Sequence, residues 1–256
     1  MAFRLFLKGS AHSPKHRMIE LFGLPGAGKT TIIKGMQFSG DMISREEASA
    51  AWRDESFLTR ASILARILPD FAWMRSILSL VFRTPLTKGE SLLRLSRLAA
   101  TKPWLRSLDG NLLFDQGMLQ RLWSIFYTEG VTVPPPAVLT RVLKQYYAEH
   151  DVVIVVIEVS PELASQRVYG RSIGSSRLDL LPADEVLTKL RKTAGLPGAL
   201  LTAAREAGLS VITLDGSASP GEVAAKLQAI IEPQKGQADT KRWGPGITPC
   251  GGVAAK

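Results

Sequence analysis

Cysteine is all but missing from this chain: Cys250 is the single thiol in 256 residues. One thiol per chain excludes an intrachain disulfide framework and a cysteine-built metal site, which suits a reducing, cytoplasmic setting. Long apolar runs are missing too. The best, "FAWMRSILSLVF" (71–82), carries Arg75 and falls well short of the ~20 residues of a membrane helix. Residues 1–17 hold no extended apolar stretch and no small-residue cleavage site, so no secretory signal is expected. No internal repeat is present.

Acidic residues are the scarcer charge, 23 against 32 Lys plus Arg, for a formal net charge of +9. The excess sits at the ends. Arg4, Lys8, Lys15 and Arg17 give +4 over 1–17, and Lys235, Lys241, Arg242 and Lys256 against Asp239 give +3 over 235–256, leaving +2 for 18–234. A nucleic-acid reader gathers its charge on a folded face. Nucleic acid is therefore not expected as a partner, and solvated tails are favoured over contact of the basic arm with an anionic membrane.

"GLPGAGKTT" (23–31) satisfies the G-x-x-x-x-G-K-[ST] phosphate loop. Gly23, Gly26 and Gly28 allow successive amide N–H groups to turn inward around a phosphate, with Pro25, Ala27 and Thr31 completing the loop. Lys29 is the expected contact to the β- and γ-phosphates, and the Thr30 hydroxyl the expected Mg²⁺ ligand. "MIELFG" (18–23) reads as a buried strand, and "KTTIIKGMQF" (29–38) as a helix whose N-terminus faces the phosphates.

Four more strands are expected: 41–44, 111–115, 151–159 and 210–216. The run "DVVIVVIEV" reads as a central parallel strand buried on both faces. Helical patterns between them predict a parallel α/β sheet with ligands at the strands' carboxyl ends, where Gly23, Asp115 and Asp215 fall. A helical insertion is expected over 46–108, with apolar stripes Phe57, Ala61, Leu64, Leu68, then Phe71, Met74, Leu78, Val81, then Leu92, Leu95, Ala99. Eleven cationic residues against six acidic ones over 45–106 make it the basic part of the body. Its arginines either face solvent or serve an anionic acceptor; the sequence leaves both open. "TVPPPA" (132–137) leads into a helix, and 233–256, rich in Gly and Pro, is expected to be disordered.

Asp115 ends the strand "LLFD" in the Walker B place, where it binds metal through water or accepts a proton; helix capping is the alternative. After the central strand, Ser160 and Glu162 start a helix on which Arg167 and Arg171 share a face. Arginines brought in by a closing flap offset the charge of a transferring phosphoryl. A base-reading N-K-x-D is absent, which argues against a GTPase switch.

"GLPGAGKTT", "LLFDQG", "IEVSPELASQRVYGRSIGSSRLD" and "VITLDGSASPGEVAAKLQAII", in that order, resemble the thymidylate kinase-like branch of the P-loop nucleoside and nucleotide kinases. The resemblance implies a P-loop NTPase three-layer sandwich whose five-stranded parallel sheet runs 2-3-1-4-5. It implies a kinase domain over 18–232, with 167–180 as LID, between the arm 1–17 and the tail 233–256; the helices of 46–108 are a candidate cap over the acceptor. Arg167 and Arg171 would be LID arginines, and Asp215, Gly216 and Ser217 would border the adenine of ATP. Gln116 stands where that family has arginine, so a divergent member is expected, moving the γ-phosphoryl of Mg-ATP to a small-molecule acceptor such as a nucleoside or nucleoside monophosphate. The rival is an ATP-binding regulatory or assembly protein without transfer activity. A homodimer stays open.

Overall fold

The computed structural model describes residues 17–36, 42–44, 70–106, 108, 110–170, 178 and 181–231. Five parallel strands form one sheet in the order β2-β3-β1-β4-β5, as the resemblance implies. They are β1 (Arg17–Phe22), β2 (Met42–Ser44), β3 (Asn111–Phe114), β4 (Asp151–Glu158) and β5 (Ser210–Asp215). Each lies within about a residue of its predicted span. β1 sits between β3 and β4, with Glu20 level with Phe114 on one side and Ile154 on the other.

Side-chain alternation along β1 divides the core. Ile19 and Leu21 face a smaller layer formed by α1 (Lys29–Lys34) and α9 (Pro220–Ile231), with Ile32, Val223 and Leu227 buried there. Met18 and Phe22 face a larger layer. It includes α2 (Phe71–Arg83), α3 (Gly89–Leu105), α4 (Met118–Glu129), α5 (Pro136–Tyr146) and α8 (Gly195–Glu206). α6 (Pro161–Tyr169) follows β4 and packs on α7 (Ala183–Lys192). Both faces of β4 are buried, which is why its sequence is β-branched almost throughout.

Several sequence expectations are corrected. α1 stops at Lys34 rather than running to 38, because Gly35 closes its last turn on the carbonyls of Thr31 and Ile32. In α2 the inward stripe is Trp73, Ser76, Ile77 and Leu80, while Phe71 and Leu78 face solvent. Trp73 sets that rotation: its indole N–H donates to the Ala99 carbonyl at 3.0 Å, and its ring meets the Lys102 ammonium at 5.5 Å. Asp70 fixes the helix start by accepting from Trp73 N at 3.0 Å and pairing with Lys102 at 2.7 Å. In α3, Leu95 is buried as expected, but Leu92 is exposed and Leu98 takes the interior place. The stripe Phe57, Ala61, Leu64, Leu68 lies outside the described residues, as do the arm 1–16 and the tail from 232.

Candidate phosphate-binding cleft

The sheet order places the candidate residues. β1 ends in the phosphate loop, β3 beside it ends at Asp115, and β4 on the other side feeds α6. The α6 backbone lies directly on the loop. A Cβ at Gly26, whose φ is +87°, would sit 2.3 Å from the Ala164 carbonyl oxygen, so only glycine lets helix and loop approach this closely. Gly26→Ala is expected to lose about 1–3 kcal/mol of stability, read as a lower thermal midpoint. An unchanged midpoint would show that the loop and α6 are not so tightly docked.

Lys29 folds back over its own loop, its ammonium donating to the carbonyls of Gly23 at 2.8 Å and Leu24 at 3.1 Å. Thr30 Oγ1 donates to Asp115 Oδ2 at 3.3 Å. The strand-end carboxylate thus meets the hydroxyl at the start of α1. Another carboxylate receives the first amides of α4. Glu20, fully buried on β1, accepts from Met118 N at 2.9 Å, Leu119 N at 2.7 Å and the Tyr147 hydroxyl. Burial pushes its carboxyl above the ordinary glutamate value, and the Tyr147 hydroxyl and the helix amides pull the other way without prevailing. Gly117 makes room for it, since a Cβ there would lie 2.1 Å from the Glu20 carboxyl carbon. The signal for Glu20 was a lone charge inside the apolar run "MIELF".

The Ser160 hydroxyl caps α6 by accepting from Leu163 N at 3.1 Å. From that helix Arg167 Nη1 donates to the Gly216 carbonyl at 2.8 Å and passes close to Gly28. One arginine therefore spans the phosphate loop and the turn after β5. Asp215 and Ser217 spend polar groups on each other: Ser217 N and Oγ donate to Asp215 Oδ1 at 2.8 and 2.6 Å. The Ser217 hydroxyl, with its amide, holds the Asp215 carboxyl below its usual range. Gly216 N donates to Glu158 O at 2.8 Å, tying this turn to the end of β4. Arg171 and most of the predicted LID lie outside the described residues.

Of these groups Arg167 and Gly216 border a cleft of about 990 Å³, whose described lining does not include Asp115, Asp215 or Ser217. Pro25, Gly26, Ala27, Gly28, Lys29, Thr30 and Thr31 line one side with Arg167 and Gly216. The other wall takes Arg94 and Arg97 from α3, one of the two placements the sequence left open for them; Gln120, Arg121, Trp123 and Tyr127 from α4 were not foreseen, and Gln116 lies just before that helix. Residues 120, 123 and 127 share one helical face, a spacing the sequence contains. Trp123 and Tyr127 stack with centroids 4.8 Å apart.

Thr30 and Asp115 suit Mg²⁺, a hard cation that takes oxygen ligands, keeps several waters and is held by one or two protein groups plus phosphates. Among the described residues no cluster of three or more His, Cys, Asp or Glu offers an all-protein cage, and no helix is long and apolar enough to cross a membrane. No protein-family model matches the chain, nor does any curated protein. Among solved structures it is similar to the deoxyadenosine kinase of M. mycoides with bound dCTP, at 15% identity over 83% of this chain and 99% of that one, with a TM-score of 0.41. Similarity that shallow does not carry an activity or a substrate across.

Proposed function

We propose that the chain is an ATP-dependent P-loop phosphotransferase acting on a small-molecule acceptor. The observation that carries this reading is the meeting of Thr30 with Asp115 at one end of the phosphate loop while Arg167 reaches over the other. Loop amides and Lys29 would hold the β- and γ-phosphates, which requires the Lys29 ammonium to leave the Gly23 and Leu24 carbonyls for the nucleotide. Thr30 would hold Mg²⁺ directly and Asp115 through water. Mg²⁺ held there would neutralise charge on the phosphates. Arg167, with Arg171 following it in sequence, would offset charge on the transferring group, and the turn Asp215-Gly216-Ser217 would border the adenine.

Arg167 is held by one neutral carbonyl, so its charge is available to a phosphate. Arg167→Ala is accordingly expected to cut kcat by about a hundredfold while changing the Kd for Mg-ATP by only a few fold, the pattern of a contact strongest in the transition state. Calorimetric Kd beside steady-state kcat decides it. Loss of ATP affinity at unchanged kcat would assign Arg167 to ground-state binding alone.

A further inference from the structure

α2 buries one apolar side and exposes another. Trp73, Ser76, Ile77 and Leu80 face the interior, while Phe71, Arg75, Leu78 and Phe82 form a second stripe at helical spacing. Phe71 is 79% exposed, Leu78 47% and Phe82 83%, and the two phenylalanines stand about 16 Å apart along the axis. Exposed apolar residues scattered singly are ordinary. Here three of the seven large ones among the described residues share one helix face, and Leu92 and Leu93 follow near the start of α3. A helix apolar on both sides calls for a partner on each. No α2 residue is among the described lining of the cleft, so this face is separate from the phosphate loop.

Charge on this surface has one sign. Arg75 and Arg83 are the only charged residues of α2, and α5, which packs against it, exposes Arg141 and Lys144. None of the four has an ion pair among the described residues. The carboxylates of the surrounding helices are engaged elsewhere: Asp70 with Lys102 and Arg106, Glu90 with Arg94, Glu129 with the Thr87 and Lys88 amides, and Glu206 with the Thr140 hydroxyl. The start of α2 also lies at the edge of the fold where β1 begins. Arg106 pairs with Asp70 at 3.2 Å and with Glu149, which stands two residues before Asp151, and Asp151 is level with Arg17. Residues 1–16, which precede Arg17 in the sequence, hold Arg4, Lys8 and Lys15 and no acid.

We propose that the outer face of α2 docks on the surface of an anionic lipid bilayer. Phe71, Leu78 and Phe82 enter the boundary between headgroups and acyl chains, and Arg75 and Arg83 extend along it to reach lipid phosphates. Arg141 and Lys144 add attraction from the neighbouring helix. A bilayer surface suits this mixture because it offers hydrocarbon and phosphate to the same helix face. A second copy of this chain fits worse: two such stripes in contact would bury Arg75 with no carboxylate facing it. The assignment does not depend on the phosphotransferase reading.

The test is sedimentation of the full chain with sucrose-loaded vesicles, either of phosphatidylcholine alone or of phosphatidylcholine and phosphatidylglycerol at roughly seven to three. The chain is expected to sediment with the mixed vesicles, less so as salt is raised, and to stay in solution with phosphatidylcholine alone. Phe71→Ser and Phe82→Ser should each weaken this binding at least about fivefold, and Arg75→Gln with Arg83→Gln by a similar factor. Thermal midpoints should hold, because these side chains stand in solvent. Failure to sediment with the mixed vesicles overturns the proposal, as does equal sedimentation with both. Binding that survives every α2 substitution but is lost on deleting residues 1–16 overturns it too, and gives the contact to the arm. Binding to polyglutamate as tight as to the mixed vesicles would assign an acidic polypeptide instead. A dimer in light scattering that Phe82→Ser dissociates would put a second copy on this face. A thermal midpoint that falls by many degrees in Phe71→Ser or Phe82→Ser would mean that another part of this chain covers it.

Discussion

Lys29→Ala is expected to lower phosphoryl transfer by at least about a hundredfold while shifting the thermal midpoint of the nucleotide-free protein by only a few degrees. The magnitude is that of removing one preorganised cationic donor from a developing charge. The small effect on folding has a structural reason. In this state the Lys29 ammonium donates to the Gly23 and Leu24 carbonyls of its own loop, and its helix is anchored by Ile32, which is buried against the sheet. Truncation removes local hydrogen bonds at a partly exposed site, each of modest net value. A second readout separates the effects. ATP at a hundred times its Kd stabilises a protein by about 2.7 kcal/mol, and Lys29→Ala should lose most of that ligand-induced shift. A variant that melts far below the parent without nucleotide would make Lys29 structural instead.

Glu20→Ala is expected to produce the largest loss of stability, about 3 kcal/mol or more. It strands two backbone N–H groups at the start of α4 and the Tyr147 hydroxyl, and each stranded buried group costs about 1–3 kcal/mol. Asp115 immediately precedes the α4 turn, and the cleft wall lies along that helix, so nucleotide affinity should fall with stability. Its pH dependence distinguishes a protonated clamp from a charged one. The folded-state pKa of Glu20 is raised above its ordinary 4.5 by burial. Its stabilising contribution is therefore complete below that ordinary value and declines as pH rises through the folded-state pKa. In urea titrations the advantage of the parent over Glu20→Gln should grow as pH is lowered toward 4.5 from the alkaline side. An advantage that grows with rising pH would mean that the helix amides hold Glu20 charged.

Strand positions and the phosphate loop were legible because each rests on a local rule. β4 reads as buried from its β-branched run, and the loop reads from glycine spacing followed by lysine and threonine. Asp115 was legible as a strand-end carboxylate, but its partner was not. Thr30 lies 85 residues away, and only the adjacency of β1 and β3 brings them together. Glu20 was missed for a related reason. A strand carboxylate gains meaning from the helix end it faces, 98 residues on, and Met118 carries no side-chain signal of that contact. Helix rotation was the other failure. α2 offers two apolar stripes a residue or two apart, and the chosen one turns on Trp73 finding the Ala99 carbonyl in the next helix. Arg94 and Arg97 could not be assigned to cleft or solvent until α3 was seen against α4.

Transfer from γ-labelled ATP with Mg²⁺ to a panel of nucleosides, nucleoside monophosphates and sugar phosphates, with Lys29→Ala as background, tests the central claim most directly. Label passing to one acceptor class and disappearing with Lys29→Ala is the expected result. Tight, Mg²⁺-dependent ATP binding with no transfer beyond slow hydrolysis across the panel would contradict it, and would favour a protein in which nucleotide orders the cleft for a partner.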